Sequence, residues 1–275
     1  MQNKDFIDVN KELKQGLACF AAGTLVHTKE GSVPIEQIKV GDYVLSKPES
    51  GEGEQAYKRV TQVFAHKPTR VIRMNYIPDE SQQIAHNITT TLNHPFWVTG
   101  KGWTKAQDLK GTESGKGQKL ELCDGRKVPV FNNANIYISD QSGVGWLSST
   151  SDGLTSRPGA LWDFLNHRLV ATQVAPLKDF KDIIENELED NTNAFYLKLP
   201  VYNLEVEDFH TYYVGKHGVW VHNKNGTGLE ISVRGTQTKL TEDMLPFFSR
   251  KELLSYLDIY RAALRTIQNV RASQT

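Results

Sequence analysis

Several absences narrow what this chain can be. It has two cysteines, Cys19 and Cys123, in 275 residues. They could form one disulfide, but their spacing reads neither as a disulfide framework nor as a metal site. Neither charge is in excess: Lys+Arg and Asp+Glu both total 32, so no global field directs the chain to nucleic acid or an anionic membrane. No apolar run approaches the roughly 18 residues of a transmembrane helix. The start, MQNKDFIDVNKELKQ, breaks every apolar stretch with charge and is not a secretion signal, although one could lie in a longer parent chain. There is no P-loop, no Leu-Ala-Gly-Leu-Ile-Asp-type endonuclease signature and no repeat. No histidine or cysteine follows His222, so the C-terminal stretch carries no recognisable catalytic cluster.

What is present favours strands. Apolar content of 39% and charged content of 23% are ordinary for a globular chain, and the length suffices for one large or two modest domains. Residues 1–18 form a short amphipathic lead-in, helical from Asp8. From Cys19 the chain breaks into short β-branched runs separated by Gly, Pro and Asx turns. Arg59–His66 and Arg70–Ile77 alternate as a hairpin pair, and Leu120–Val130 is another around Asp124-Gly125. Asn132-Asn133 and the Ser/Gly/Thr-rich 139–159 read as loop. Leu161–Val170 and Leu177–Leu188 have helical spacing, and Lys178–Asp190 sets six acidic residues against two lysines, a solvated face. After the linker signal Asn225-Gly226-Thr227-Gly228, Leu229–Arg234 alternates as a strand. Ser249-Arg250-Lys251-Glu252 is a capping box that opens a helix to about Ser273.

Two distant stretches carry chemistry. Near the front, a thiolate at Cys19 could attack the carbonyl of Ala18 and convert that amide to a thioester. Such an N-to-S shift needs a strained bond and a group to protonate the leaving nitrogen. Thr91-Leu92-Asn93-His94 offers a hydroxyl for the polarised carbonyl and an imidazole three residues on. Near the end, YNLEVED and HTYYV…VWV flank the turn Gly215-Lys216-His217-Gly218, and the second strand runs into Val221-His222-Asn223-Lys224. An Asn amide can attack its own carbonyl, close a succinimide and expel the next residue's amine, with the adjacent His as proton donor. Taken singly, each residue has a blander reading: a capped strand end, a hairpin corner, a buried small hydrophobe.

Together, CFAAGTLV, TLNHPFWV, VYNLEVEDFHTYYVG and GVWVHN resemble the four motif blocks of the Hedgehog/intein (Hint) superfamily, most closely the pretoxin-type Hint domains of bacterial polymorphic toxins. The resemblance covers about Cys19 to Asn223. It implies an all-β, flattened horseshoe with both junctions at its centre, a partly helical insertion at about 135–195 and a short helical C-terminal segment. Cys19 would be the upstream nucleophile, and Thr91 and His94 its activating T-x-x-H pair. His210 would assist the downstream junction, and His222 with Asn223 would be the terminal pair. Inteins that splice often carry Asp or Cys where this chain has Asn203, which cannot ionise. They also need Cys, Ser or Thr after the terminal Asn, where this chain has Lys224. The expectation is therefore self-cleavage, chiefly at Asn223–Lys224, and not splicing.

The implied organisation is a flanking segment 1–18, an autoprocessing domain 19–223, and an effector or flanking segment 224–275. No cofactor or metal is expected, because the substrate is the chain itself. The implied partners are the chain's own junctions and an immunity protein for the released segment, and the implied setting is a secreted or cell-surface bacterial toxin. From Lys224 onward eight basic residues stand against five acidic ones, too slight a bias to indicate nucleic acid. Two other readings compete: an inactive Hint scaffold, and a cysteine peptidase acting in trans. His27, His66, His86, His167 and His217 match no motif, and a Cys19–Cys123 disulfide would silence the nucleophile.

Overall fold

A long strand, Ala56–Tyr76, organises the main sheet of the computed structural model. The structure describes residues 18–82, 84–112, 117–148, 158–175 and 195–223, and the backbone of 229–233 and 236–240. Two compact units are present, Met1–Asn225 and Gly226–Thr275. In the second, Leu229–Val233 pairs with Thr236–Leu240 as a two-stranded antiparallel sheet, which meets the strand expected from Leu229. The lead-in helix, the helix at 177–188 and the helix beginning near Ser249 all lie outside the described residues.

In the first unit the all-β expectation holds, with short 3-10 turns at Ile35–Gln37 and Ala106–Asp108. The sequence had suggested that Arg59–His66 and Arg70–Ile77 fold back on each other. They form one continuous strand instead. Its front part pairs with Tyr43–Ser46 and Lys198–Val206, and its rear part with His86–Thr91 and Lys127–Ile138. The register slips between Leu199 and Val201, where Pro200 faces the stretch holding Pro68. Neither proline has an N–H to give a ladder, so the strand crosses a bulge there without reversing. The change of partners at the bulge explains why the sequence looks like two elements.

Asn132 and Asn133, expected in a loop, lie inside the strand Lys127–Ile138. Tertiary partners override their turn preference. Asn75 Nδ2 donates to Asn132 Oδ1 at 2.8 Å, and Asn133 Nδ2 donates to the carbonyls of Ala106 and Leu109 at 2.7 and 3.0 Å. Within the stretch expected to be loop, Val144–Leu147 is also a strand.

The described part of the expected helical insertion is a β-meander. Leu161–Val170 spans the paired strands Gly159–Asp163 and Arg168–Val174 and the turn between them. The Asp163 carboxylate makes that turn, accepting the N–H groups of Leu165 and Asn166 at 3.1 and 3.0 Å, Asn166 Nδ2 at 2.8 Å and Arg168 Nε at 3.3 Å. An Asp that collects successive amides in this way diverts the backbone from a helix.

The core is built from inward-facing positions of successive strands. Val26, Val44, Val60, Phe96, Leu120, Tyr212 and Val221 pack in one cluster; Cys19, Ala21, Val71, Ile136 and Val201 pack in a second. Neither cysteine is in a disulfide. Cys19 lies in the second cluster, whereas Cys123 sits by Gly218, with its sulfur 4.0 Å from His27 Nδ1 and 3.6 Å from the His217 carbonyl. The disulfide gate is not formed. Among the described residues no helix is long and apolar enough to cross a membrane.

Candidate active site at two chain junctions

The upstream junction is held by the short strand Phe20–Ala21, inserted between Lys198–Val206 and His86–Thr91 through the pairs Phe20↔Tyr202 and Phe20↔Thr90. That insertion brings Cys19 against the end of the T-x-x-H segment. Thr91 holds the Ala18–Cys19 peptide from its nitrogen: Thr91 Oγ1 accepts the Cys19 N–H at 2.9 Å. The sequence had suggested a contact from this hydroxyl to the carbonyl of that bond. The carbonyl of Cys19 itself accepts the Thr91 N–H and the Thr90 hydroxyl, each at 2.9 Å. Thr90 was not foreseen, because a run of three threonines does not reveal which of them face inward. Cys19 is 1% exposed, with no cleft among the described residues at its sulfur to seat a peptide substrate, which counts against the trans-peptidase reading.

His94 follows a turn closed by its N–H on the Thr91 carbonyl at 3.4 Å, and its ring lies 3.9 Å from that of Phe20. The imidazole is fully buried. Burial first, and the nearby His222 second, lower its pKa from 6.5 to about 3; the Ala18 carbonyl beside the ring pulls the other way. Neither ring nitrogen makes a well-formed hydrogen bond among the described residues, so the contact with Ala18 is a loose one. The ring is therefore neutral at ordinary pH and stands beside the Ala18 carbonyl.

A stability prediction follows. The unfolded chain takes up a proton near pH 6.5 and the folded chain only near pH 3. This contribution is therefore complete above pH 6.5 and is lost as pH falls toward 3, at up to about 1.4 kcal/mol per pH unit. Urea unfolding of wild type and His94→Gln between pH 7 and 4 is expected to show the steeper loss in wild type. Parallel profiles would contradict the assignment.

The downstream junction hangs from the hairpin Thr211–Val214/Val219–His222, whose last pair is Thr211↔His222. The turn needs Gly218: it has φ +68°, and a Cβ there would lie 2.4 Å from the Cys123 sulfur. Val221↔Phe96 ties the hairpin to Pro95–Val98, just beyond His94. His222 Nε2 is 2.7 Å from the Glu49 carboxylate. Trp103 braces this pair, with its ring edge-on to His222 at 4.9 Å and its Nε1 donating to the Glu49 carbonyl at 3.0 Å. Nothing in the Pro/Gly/Ser/Glu-rich loop that carries Glu49 marked it in the sequence.

Asn223 is 2% exposed, and its N–H donates to the carbonyl of His210 at 2.9 Å. His210 thus reaches the junction through its backbone, at φ 54°, while its Nδ1 lies 2.8 Å from Glu205 Oε1. Asn203 Nδ2 points at the Asn223 carbonyl oxygen, 3.4 Å away. The side-chain nitrogen of Asn223 is buried and has no hydrogen-bond partner among the described residues.

The two junctions share one centre. Phe20, next to Cys19, has its ring 6.2 Å from that of Tyr212, whose hydroxyl donates to Asn203 Oδ1 at 2.7 Å, and Asn203 faces the Asn223 carbonyl. All six residues singled out from the sequence, Cys19, Thr91, His94, His210, His222 and Asn223, line or adjoin this centre. His210 does so by its carbonyl, with its ring turned to Glu205. Among the described residues no three His, Cys, Asp or Glu side chains converge to hold a metal ion.

An all-β unit with an internal Cys and a strand-end His-Asn pair is the arrangement that the Hint resemblance implies. Residues 25–139 match the family described as the Pretoxin HINT domain. The match takes in Thr91 and His94 and stops short of Cys19, His210, His222 and Asn223. Solved structures that the chain resembles include a bacterial intein-like domain from Clostridium thermocellum, at 24% identity over 76% of this chain and 100% of that one, with TM-score 0.46. The gp41-1 intein is 16% identical over 76% and 99%, with TM-score 0.41. A DnaB intein from Synechocystis sp. PCC 6803 is 13% identical over 75% and 98%, with TM-score 0.41. No curated protein matches.

Proposed function

We propose that residues 19–223 form a self-processing domain that breaks its own backbone, chiefly at Asn223–Lys224, and so releases the segment from Lys224 onward. The observation that carries this reading is the state of Asn223. Its side-chain nitrogen is buried without a hydrogen-bond partner among the described residues, while its carbonyl receives a donor from Asn203. A buried amide nitrogen left unsatisfied is costly, by about 1–3 kcal/mol, and calls for an explanation. A nucleophile kept uncommitted beside its own electrophile supplies one.

In the reaction, Asn223 Nδ2 bonds to the Asn223 carbonyl carbon and the bond from that carbon to the Lys224 nitrogen breaks. One proton passes from Nδ2 to the departing amine. His222, steadied by Glu49, is the proton carrier. At the other junction the Cys19 sulfur bonds to the Ala18 carbonyl carbon, the bond from that carbon to the Cys19 nitrogen breaks and the thiol proton passes to that nitrogen. Water or an added thiol then displaces the Cys19 sulfur and releases the chain at Ala18. His94 stands at the carbonyl, and Thr91 orients the nitrogen. Lys224 presents no hydroxyl or thiol to accept the acyl chain, so the two cleavages are independent and the ends are not ligated. The match of residues 25–139 to the pretoxin family supports a setting in a secreted or cell-surface bacterial toxin, with an immunity protein as partner of the released segment.

Intact mass of the purified chain, with and without added thiol, tests the reading. A fragment ending at Asn223 as a succinimide, one water lighter than the hydrolysed acid, is expected, together with thiol-dependent release ending at Ala18. A chain that stays whole under both conditions would overturn self-processing and favour an inactive scaffold. Glu49→Gln keeps the shape of the contact to His222 and removes the charge. It is expected to slow the Asn223 fragment by up to about tenfold, part of the roughly 10²–10⁴ that a positioned acid contributes. An unchanged rate would exclude Glu49 from the proton path.

A further inference from the structure

We propose that Asn203 is a catalytic residue of the downstream cleavage, donating a hydrogen bond to the Asn223 carbonyl oxygen as negative charge builds there, and that Tyr212 is the positioning residue that aims it. This rests on the self-cleavage reading above and adds a role that neither the Cys19 nor the His-Asn chemistry supplies.

The argument starts from the amide's orientation. Asn203 is fully buried. Its Oδ1 accepts the Leu204 N–H at 2.8 Å and the Tyr212 hydroxyl at 2.7 Å. The Leu204 N–H can only donate, so the atom it meets is the amide oxygen; a flipped amide would set its NH₂ against that N–H. The nitrogen end is thereby the end that faces the Asn223 carbonyl, at 3.4 Å. Such contacts are long in the resting state and tighten as the acceptor gains charge.

Tyr212 is suited to hold this geometry. It is fully buried, and its phenol is pushed well above its ordinary pKa of 10, first by burial and then by Cys19 and Glu205. It therefore stays protonated and keeps donating. When Asn223 Nδ2 adds to the carbonyl carbon, the oxygen takes up the electron pair and needs a donor already in place; Asn203 is that donor. An ionised carboxylate at the same position would present oxygen to oxygen and oppose the charge. Asn203, which cannot ionise, thus replaces acid/base duty with a fixed dipole that works at any pH.

The test follows full-length chain from cell-free synthesis, reading both junctions in each sample by intact mass. Asn203→Ala is expected to slow the Asn223 fragment by about 10²–10³-fold, as the loss of an oxyanion donor does. Thiol-dependent release at Ala18 should persist at the wild-type rate. Tyr212→Phe is expected to slow the same fragment by about tenfold, the scale of one lost hydrogen bond. Asn203→Asp separates donation from packing: a protonated carboxyl can donate and an ionised one cannot. Its downstream rate should therefore climb as pH falls from 8 to 5, relative to wild type. Wild-type rates in Asn203→Ala, equal losses at both junctions, or an Asn203→Asp profile parallel to wild type would each overturn the proposal. Absence of cleavage in wild type itself would instead sink the self-cleavage reading on which it stands.

Discussion

Asn223→Ala is expected to leave the bond to Lys224 whole in every molecule. The variant removes the attacking nitrogen, and no other group replaces an intramolecular nucleophile whose effective concentration is on the order of 10⁵ M or more. The fold should tolerate the change. Asn223 is buried and its side-chain nitrogen has no hydrogen-bond partner among the described residues, so the truncation relieves one unsatisfied amide while opening a small gap. These terms oppose each other at about 1 kcal/mol each, and thermal unfolding should move by only a few degrees. The N–H of residue 223 keeps its bond to the His210 carbonyl, since that contact is main chain to main chain. A variant that still releases the segment from Lys224, read by intact mass, would remove the central step.

The second large effect belongs to Cys19. Cys19→Ala is expected to abolish thiol-dependent release at Ala18 and to leave the Asn223 fragment unchanged. The sulfur is the group that takes the acyl chain in the proposed shift, whereas the downstream cyclisation uses none of its electrons. Cys19 sits at 1% exposure among Ala21, Val71, Ile136 and Val201, so the lost sulfur costs about 1–2 kcal/mol of packing. Release at Ala18 that continues in this variant would show that simple hydrolysis, not an acyl shift, acts there. Loss of both fragments together would mean the junctions are coupled, contrary to the consequence drawn from Lys224.

Most of the site could be read in advance because its members sit at element ends with unusual side chains. A Cys opens the strand-rich region, a His follows a Thr by three residues, and a His-Asn pair closes a hairpin. The assisting groups were less legible, each for its own reason. Glu49 lies in a loop whose composition says only turn. Tyr212 looks like any alternating strand residue. Asn203 was visible as a residue that cannot ionise, but where its two amide ends point is set by the Leu204 N–H and the Tyr212 hydroxyl. The roles of His210 and Thr91 shifted for the same reason: a letter in a motif does not say whether the side chain or the backbone reaches the junction.

The fold divides in a similar way. Hairpins closed by local turn chemistry, such as Leu120–Val130 around Asp124-Gly125, could be read directly from their sequence. Ala56–Tyr76 could not, because its halves pair with strands far apart in the chain and meet at a bulge. Leu161–Val170 imitates helical spacing until the Asp163 carboxylate gathers the amides of the turn.

The amino-acid order alone determined the strand-rich class and singled out the candidate residues at both junctions, because these depend on residue type and neighbours along the chain. Tertiary structure alone decided which atoms meet. It turned Asn203 toward the Asn223 carbonyl, held His94 neutral and set Glu49 on His222. Hydrogen-bond direction and burial are fixed by groups that fold in from elsewhere in the chain, and no local pattern carries that information.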